Sequence, residues 1–206
     1  MKAPFTVSDG LPPVWPFDLY DNSLLENSGP RSIMSPPPGT WPWALVRRVA
    51  EGAARGMNYL HCGQPAVLHR DLKSANILLE ADSYNPKVCD FGLSRIKAHE
   101  NNSMTANCGT VQWMAPEILA NETYAEPADV YSYGIILWEL LSRDCPYEGM
   151  SAIQCALAVL NRDVRPEIPT WCPQLFVQLI QACIDKEPSN RPTFTDILTT
   201  LDSMPK

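Results

Sequence analysis

The sequence predicts an α+β fold in which helix dominates and a few short strands flank a loop. Three observations predict it. From Trp43 onward, apolar residues recur at steps of three and four in four separate segments, the spacing of one helix face. Three apolar runs of only three residues lie between the first and second of those segments, too short for helices and bounded by polar or breaker residues. Nine of the twenty prolines fall in residues 1–42, where no apolar period is sustained. A boundary near Thr40 therefore separates a Pro-rich, loosely ordered lead-in, residues 1–42, from a domain of residues 43–206.

The first helix starts where Thr40 can cap it and Pro42 can sit in its first turn. Val46, Val49, Ala50, Ala53, Met57 and Leu60 make its apolar face, and it ends near His61. The short runs Ala66-Val67-Leu68, Ile77-Leu78-Leu79 and Lys87-Val88-Cys89 are expected to be strands. Val130, Tyr133, Gly134, Leu137, Trp138 and Leu141 then give a helix whose apolar stripe is broad, as in a helix buried on most sides. Phe176, Leu179, Ile180 and Cys183 mark another, and Phe194, Ile197, Leu198 and Leu201 a last one.

The chain has 206 residues, 45% hydrophobic and 19% charged, enough apolar side chains for a real core. Its net charge is −7 and it has no basic tract, so neither nucleic acid nor an anionic membrane is an expected partner. No stretch reaches 18 apolar residues; residues 168–184, the longest uncharged candidate, carry three Gln and two Pro. Met1-Lys2-Ala3-Pro4 does not lead into a signal-peptide core. The seven cysteines are odd in number and contain no C-x-x-C, which suits reduced thiols and a cytoplasmic location better than disulfides or a zinc site.

The chemistry lies between the small strands, where the chain reads His69-Arg70-Asp71-Leu72-Lys73-Ser74-Ala75-Asn76. Asp90-Phe91-Gly92 follows, Asp90 standing 19 residues after Asp71. Ala115-Pro116-Glu117 comes next, with Glu117 27 residues after Asp90, at the end of a window rich in Ser, Thr and Asn. Each triplet alone is a weak signal, and a lone Asp in a loop is ordinarily a cap or turn residue. Together, in this order, the three motifs resemble the catalytic loop, metal-binding loop and activation segment of the protein kinase family. The resemblance runs from about Trp43 to Leu201 and covers the large, mostly helical C-terminal lobe of that fold.

The resemblance implies a role for each matching residue. Asp71 would orient the acceptor hydroxyl and take its proton, and Lys73 would bring positive charge to the transferring phosphate. Asn76 and Asp90 would supply hard oxygen ligands to the Mg²⁺ that carries the phosphates of ATP, and Leu78 would lie beneath the adenine. His69 would pack against Phe91, next to Gly92, and not act as a base. Glu117 and Arg191 would form the ion pair that ties the activation segment to the last helices. Asp129 would hold the backbone of the catalytic loop. Arg70 would pair with a phosphate placed on Ser103 or Thr105 by an upstream activating kinase; otherwise those two are solvated loop residues. Cys89 reads as a small hydrophobe beside the metal loop. Lys73 with Thr110, whose hydroxyl would bond Asp71 and Lys73, resembles a serine/threonine enzyme acting on protein substrates. The stretches from Gly109 to Glu117 and from Asp129 to Leu140 resemble the tyrosine-kinase-like group of those enzymes.

Residues 1–42 contain no G-x-G-x-x-G and one lysine, Lys2, so the small β-rich lobe of a kinase is not expected in them. Residues 17–25 faintly resemble the first helix after the hinge. Two functional readings follow: a serine/threonine kinase domain, truncated and weakly active or inactive alone, or a non-catalytic kinase-like module that binds or scaffolds. A chance match on an unrelated helical domain is the third and least supported reading.

Overall fold

The computed structural model describes residues 6–7, 42–80, 83–90, 95–96 and 111–204. It is mostly helical, as expected. The first helix, α1 (Trp43–His61), buries Val46, Val49, Ala50, Ala53, Ala54 and Met57 on one face. Pro42 stands at its N-cap, and the Pro42 carbonyl accepts from the Leu45 and Val46 amides at 2.8 and 3.0 Å. Thr40, the expected cap, lies outside the described residues.

Two small sheets follow. In one, β1 (Thr6–Val7) runs parallel to β3 (Ile77–Leu79), which pairs antiparallel with β4 (Pro86–Val88). In the other, β2 (Val67–Leu68) pairs antiparallel with β5 (Arg95–Ile96). The strands fall within one residue of the expected apolar runs. β1 was not expected, because nothing in the Pro-rich lead-in shows a strand period. Within β3, Ile77 and Leu79 turn into the core while Leu78 faces the other side, half-buried, as strand alternation requires.

After a one-turn helix α2 (Pro116–Leu119) comes α3 (Glu126–Ser142), with residues 128–141 all buried. The broad apolar stripe is thus the signature of a central helix, packed against α5 (Gln174–Cys183) on one side and α1 on another. The α3–α5 approach is so close that a Cβ on Gly134 would come within 2.6 Å of Ile184 Cγ2 and 2.7 Å of Cys183 Cβ. The Tyr133 hydroxyl, buried in the opposite interface, donates to the Ala50 carbonyl of α1 at 2.9 Å. Two further helices surround this core: α4 (Ala152–Arg162) and α6 (Phe194–Ser203). Each starts with a capping box, Ser151 with Gln154 and Thr193 with Asp196, in which side chain and backbone satisfy each other's end groups. None of the described helices is long and apolar enough to cross a membrane.

Candidate active site

Residues 69–76 link β2 to β3, and the N-terminal half of α3 holds the start of that loop. Asp129 is fully buried in the first turns of α3. Its Oδ2 accepts from the His69 amide at 2.9 Å and its Oδ1 from the Arg70 amide at 3.1 Å. The Tyr124 hydroxyl donates to Oδ1 at 2.8 Å, and His61 Nε2 lies 2.9 Å from Oδ2. Four partners on one carboxylate offset the cost of burying its charge. Burial, then the charge of Asp129, holds the Tyr124 phenol well above its ordinary range, so it stays a donor.

With its start clamped, the loop turns sharply. Arg70 has a φ of 70°, a left-handed conformation that a non-glycine residue holds only when its surroundings enforce it. The Asp71 amide reaches back to His69 Nδ1 at 3.4 Å, and His69 Nε2 lies 3.1 Å from the Cys89 carbonyl. The Asp71 N–H can only donate, so Nδ1 is the acceptor and Nε2 carries the proton. The His69 ring is completely buried and both nitrogens are engaged, which leaves it no lone pair for base chemistry. Phe91 and Gly92 lie outside the described residues.

The turn brings three polar side chains together. Lys73 Nζ donates to Asp71 Oδ2 at 2.6 Å. Asn76 Nδ2 donates to the Asp71 carbonyl at 2.7 Å and to Asp71 Oδ2 at 3.3 Å. Asn76 closes the 3-10 turn Ser74–Asn76, and its Nδ2 is spent on Asp71, so Oδ1 is the oxygen it can offer elsewhere. The Cys89 amide donates to the Asn76 carbonyl at 2.9 Å, extending the β3–β4 pairing by one step and setting Asp90 next to the Asn76 register. Asp90 is exposed and also left-handed, with a φ of 65°. Burial, then the Asp90 charge, raises the pKa of the half-buried Cys89 thiol, so it is an unreactive neighbour.

The donor set suits magnesium. No group of three or more His, Cys, Asp or Glu among the described residues could hold a metal by itself. Mg²⁺ keeps several waters and takes one or two protein oxygens plus phosphates, a demand that an amide oxygen of Asn76 and a carboxylate of Asp90, one residue past the Asn76 register, match in kind.

Further along, Glu117 and Arg191 meet at 2.7 and 2.8 Å through both oxygens of the carboxylate. The guanidinium also donates to the Asp185, Pro127 and Lys186 carbonyls and lies 5.1 Å from the Tyr131 ring centroid. The Arg70 guanidinium stacks over Tyr124 at 5.5 Å, and its Nε has no hydrogen-bond partner among the described residues. Ser103, Thr105 and Thr110 lie outside the described residues.

Three participants were not singled out in the sequence. His61 and Tyr124 complete the Asp129 clamp. Glu139, on the same helix as Asp129, accepts from Ser74 Oγ at 2.8 Å and from Trp113 Nε1 at 2.7 Å. A lone carboxylate inside the apolar run of α3 was the available signal.

Comparisons with known proteins show the family. The family model described as protein tyrosine and serine/threonine kinase matches residues 38–201. A probable serine/threonine-protein kinase of Dictyostelium discoideum is 47% identical over 161 residues, covering 78% of this chain and 17% of the relative. The probable serine/threonine-protein kinase drkB of the same organism is 45% identical over 162 residues, 79% of this chain and 23% of its own length. The serine/threonine-protein kinase STY17 of Arabidopsis thaliana is 40% identical over 157 residues, 76% of this chain and 27% of its own length. The chain therefore spans about a quarter or less of these relatives. On the match over residues 38–201, this chain belongs to the protein tyrosine and serine/threonine kinase family.

Proposed function

We propose that this chain is the large lobe of a protein serine/threonine kinase, which moves the γ-phosphoryl group of ATP to Ser or Thr hydroxyls of protein substrates. The observation that carries the reading is the Asp71–Lys73–Asn76 cluster, fixed on a loop that Asp129 clamps from below. Phosphoryl transfer needs positioning and charge more than covalent help from the protein. Asp71 accepts the hydrogen bond of the incoming hydroxyl, aims its oxygen and takes its proton as the new P–O bond forms. Lys73 Nζ, which donates to Asp71 Oδ2 at 2.6 Å, balances negative charge on the moving group. Asn76, through Oδ1, and Asp90 are the residues that would hold Mg²⁺, and Leu78, turned away from the core, is the apolar surface for adenine. Bound Mg²⁺–ATP supplies the phosphoryl group and the divalent charge that neutralises it. Thr110, by the family resemblance, supports acceptance of Ser and Thr over Tyr. Arg70 next to Asp71 in the sequence, with Ser103 and Thr105 in the window that resembles an activation segment, supports control by an upstream kinase. The acidic chain, with no basic tract, supports a protein substrate and a cytoplasmic setting over nucleic acid or membrane.

The test is phosphate transfer from ATP to a generic Ser/Thr protein substrate. The 206 residues hold no G-x-G-x-x-G to cover the phosphates, and misplacement by about 1 Å costs on the order of 10² in rate. The chain alone should therefore turn over at least about a hundredfold below the roughly 1–100 s⁻¹ of kinases. Asp71→Asn should abolish what remains. Transfer unaffected by Asp71→Asn would favour the alternative of a binding module with a contaminating activity.

A further inference from the structure

Glu139 is the buried carboxyl that the phosphoryl-transfer reading leaves without a task. It is 2% exposed in the middle of the molecule. Its Oε1 faces Ser74, the first residue of the turn that ends at Asn76, and its Oε2 faces Trp113, the last residue of the 3-10 turn Val111–Trp113. One carboxyl thus bridges the loop of Asp71 and the segment that leads into Glu117.

We propose that Glu139 is a positioning residue whose proton sets how residues 71–76 are coupled to the Val111–Trp113 turn. The proposal takes from the kinase reading only the meaning of Asp71, and its test does not depend on phosphate transfer, so the two can fail separately.

The argument starts from what each partner can do. An indole N–H only donates, so Oε2 must accept in either form of the acid. A serine hydroxyl can donate or accept, so the proton of the neutral acid belongs on Oε1, pointing at Ser74 Oγ. Ser74 then turns its own proton to another acceptor. When Glu139 gives its proton to solvent, Ser74 donates to Oε1, and both bonds become charge-assisted and shorter. The direction of the Ser74–Glu139 bond therefore reverses with protonation, three residues from Asp71 and two from Asn76.

The surroundings place this event in an accessible range. No cation pairs with Glu139 among the described residues. Burial pushes its pKa up to about 8, against the pull of the Trp113 and Ser74 hydrogen bonds. The charged and titratable groups nearby are few. The Cys145 thiol, beyond the end of α3, is raised by burial and then by the Glu139 charge. Arg143, in the turn after α3, gives its backbone amide to the Glu139 carbonyl at 3.0 Å. On the loop side, Lys73 and Asp71 pair with each other. The Val111–Trp113 turn brings no ionisable side chain.

The test is NMR on the isotope-labelled 206-residue chain from pH 6 to 10, following Glu139 Cδ, the Trp113 indole N–H and the Asn76 side-chain amide. All three should move with one midpoint near 8. Glu139→Gln, which mimics the neutral acid, should freeze the Trp113 and Asn76 signals across that range. Ser74→Ala removes a donor to the carboxylate and should raise the midpoint; Cys145→Ser should leave the Trp113 and Asn76 shifts in place. If the Gln variant does not fold, the wild-type titration and Ser74→Ala carry the test. A Glu139 Cδ signal that does not titrate, or one that titrates while Asn76 stays still, would overturn the proposal.

Discussion

Arg191 sits in an environment that is hard to rearrange, since its side chain is 0% exposed and its guanidinium is held by Glu117, three backbone carbonyls and the Tyr131 ring. Glu117→Ala would leave that guanidinium charged and without its anion, and breaking a buried pair from one side costs ~3–5 kcal/mol. We expect a loss of that size in denaturant titration, and a partial recovery when Arg191→Met is added, because the orphaned charge is then gone. Equal losses in the single and double variants would show that packing and not charge dominates. At this scale the sequence told much. Asp71, Lys73, Asn76, Asp129, Glu117 and Arg191 stood out through the family resemblance that the motifs carry, and the structure sets the first three together and joins the last two. His61, Tyr124 and Glu139 did not stand out. A sequence shows that a residue is polar and where it falls along a helix, but the partner that makes it necessary sits 5 to 68 residues away.

Among the elements, α3 and α5 depend on having no side chain at Gly134. Gly134→Ala would drive a Cβ to 2.6 Å from Ile184 Cγ2 and 2.7 Å from Cys183 Cβ, two core neighbours that cannot swing aside. Overpacking of this kind costs about 1–3 kcal/mol, while alanine's better helix propensity returns at most about 1. The variant should therefore melt at lower temperature; an unchanged or higher melting point would show that α5 can shift. The helices α1, α3, α5 and α6 were legible because their apolar residues are large and periodic. α4 was not, since its buried side is made of Cys155, Ala158 and Val159 while the larger Ile153 and Leu157 face outward. Its visible mark was the Ser151–Gln154 capping box, a local signal that needs no apolar stripe. Of the strands, β3 was legible to the residue and β2 and β4 to within one residue, because their ends are set by pairing across the sheet, while β1 and β5 carry no apolar run that could mark them.

For the whole molecule, the raised Glu139 acid makes stability depend on pH. Its folded pKa of about 8 lies above the ordinary 4.5, so between those values the folded chain keeps a proton that the unfolded chain has released. The contribution is complete below about 4.5 and is lost as pH rises through about 8. The unfolding midpoint should fall across that window, and Glu139→Gln should flatten the decline. A midpoint that rises from pH 5 to 8 in both proteins would contradict it. A second property follows from the way α3 carries the loop. Asp129 and Glu139 stand ten residues apart on that helix, roughly 15 Å, and between them they fasten residues 69, 70 and 74. Surface loops ordinarily exchange their amide hydrogens through small local openings, far faster than a core helix does. The His69 and Arg70 amides are instead bonded to a carboxylate inside the most deeply buried helix, so they should become free for exchange only when α3 itself comes apart. Their exchange should then be as slow as that of Ile135 and Ile136, with the same dependence on denaturant. The loop that bears Asp71 would in that case lose its shape only together with the whole core.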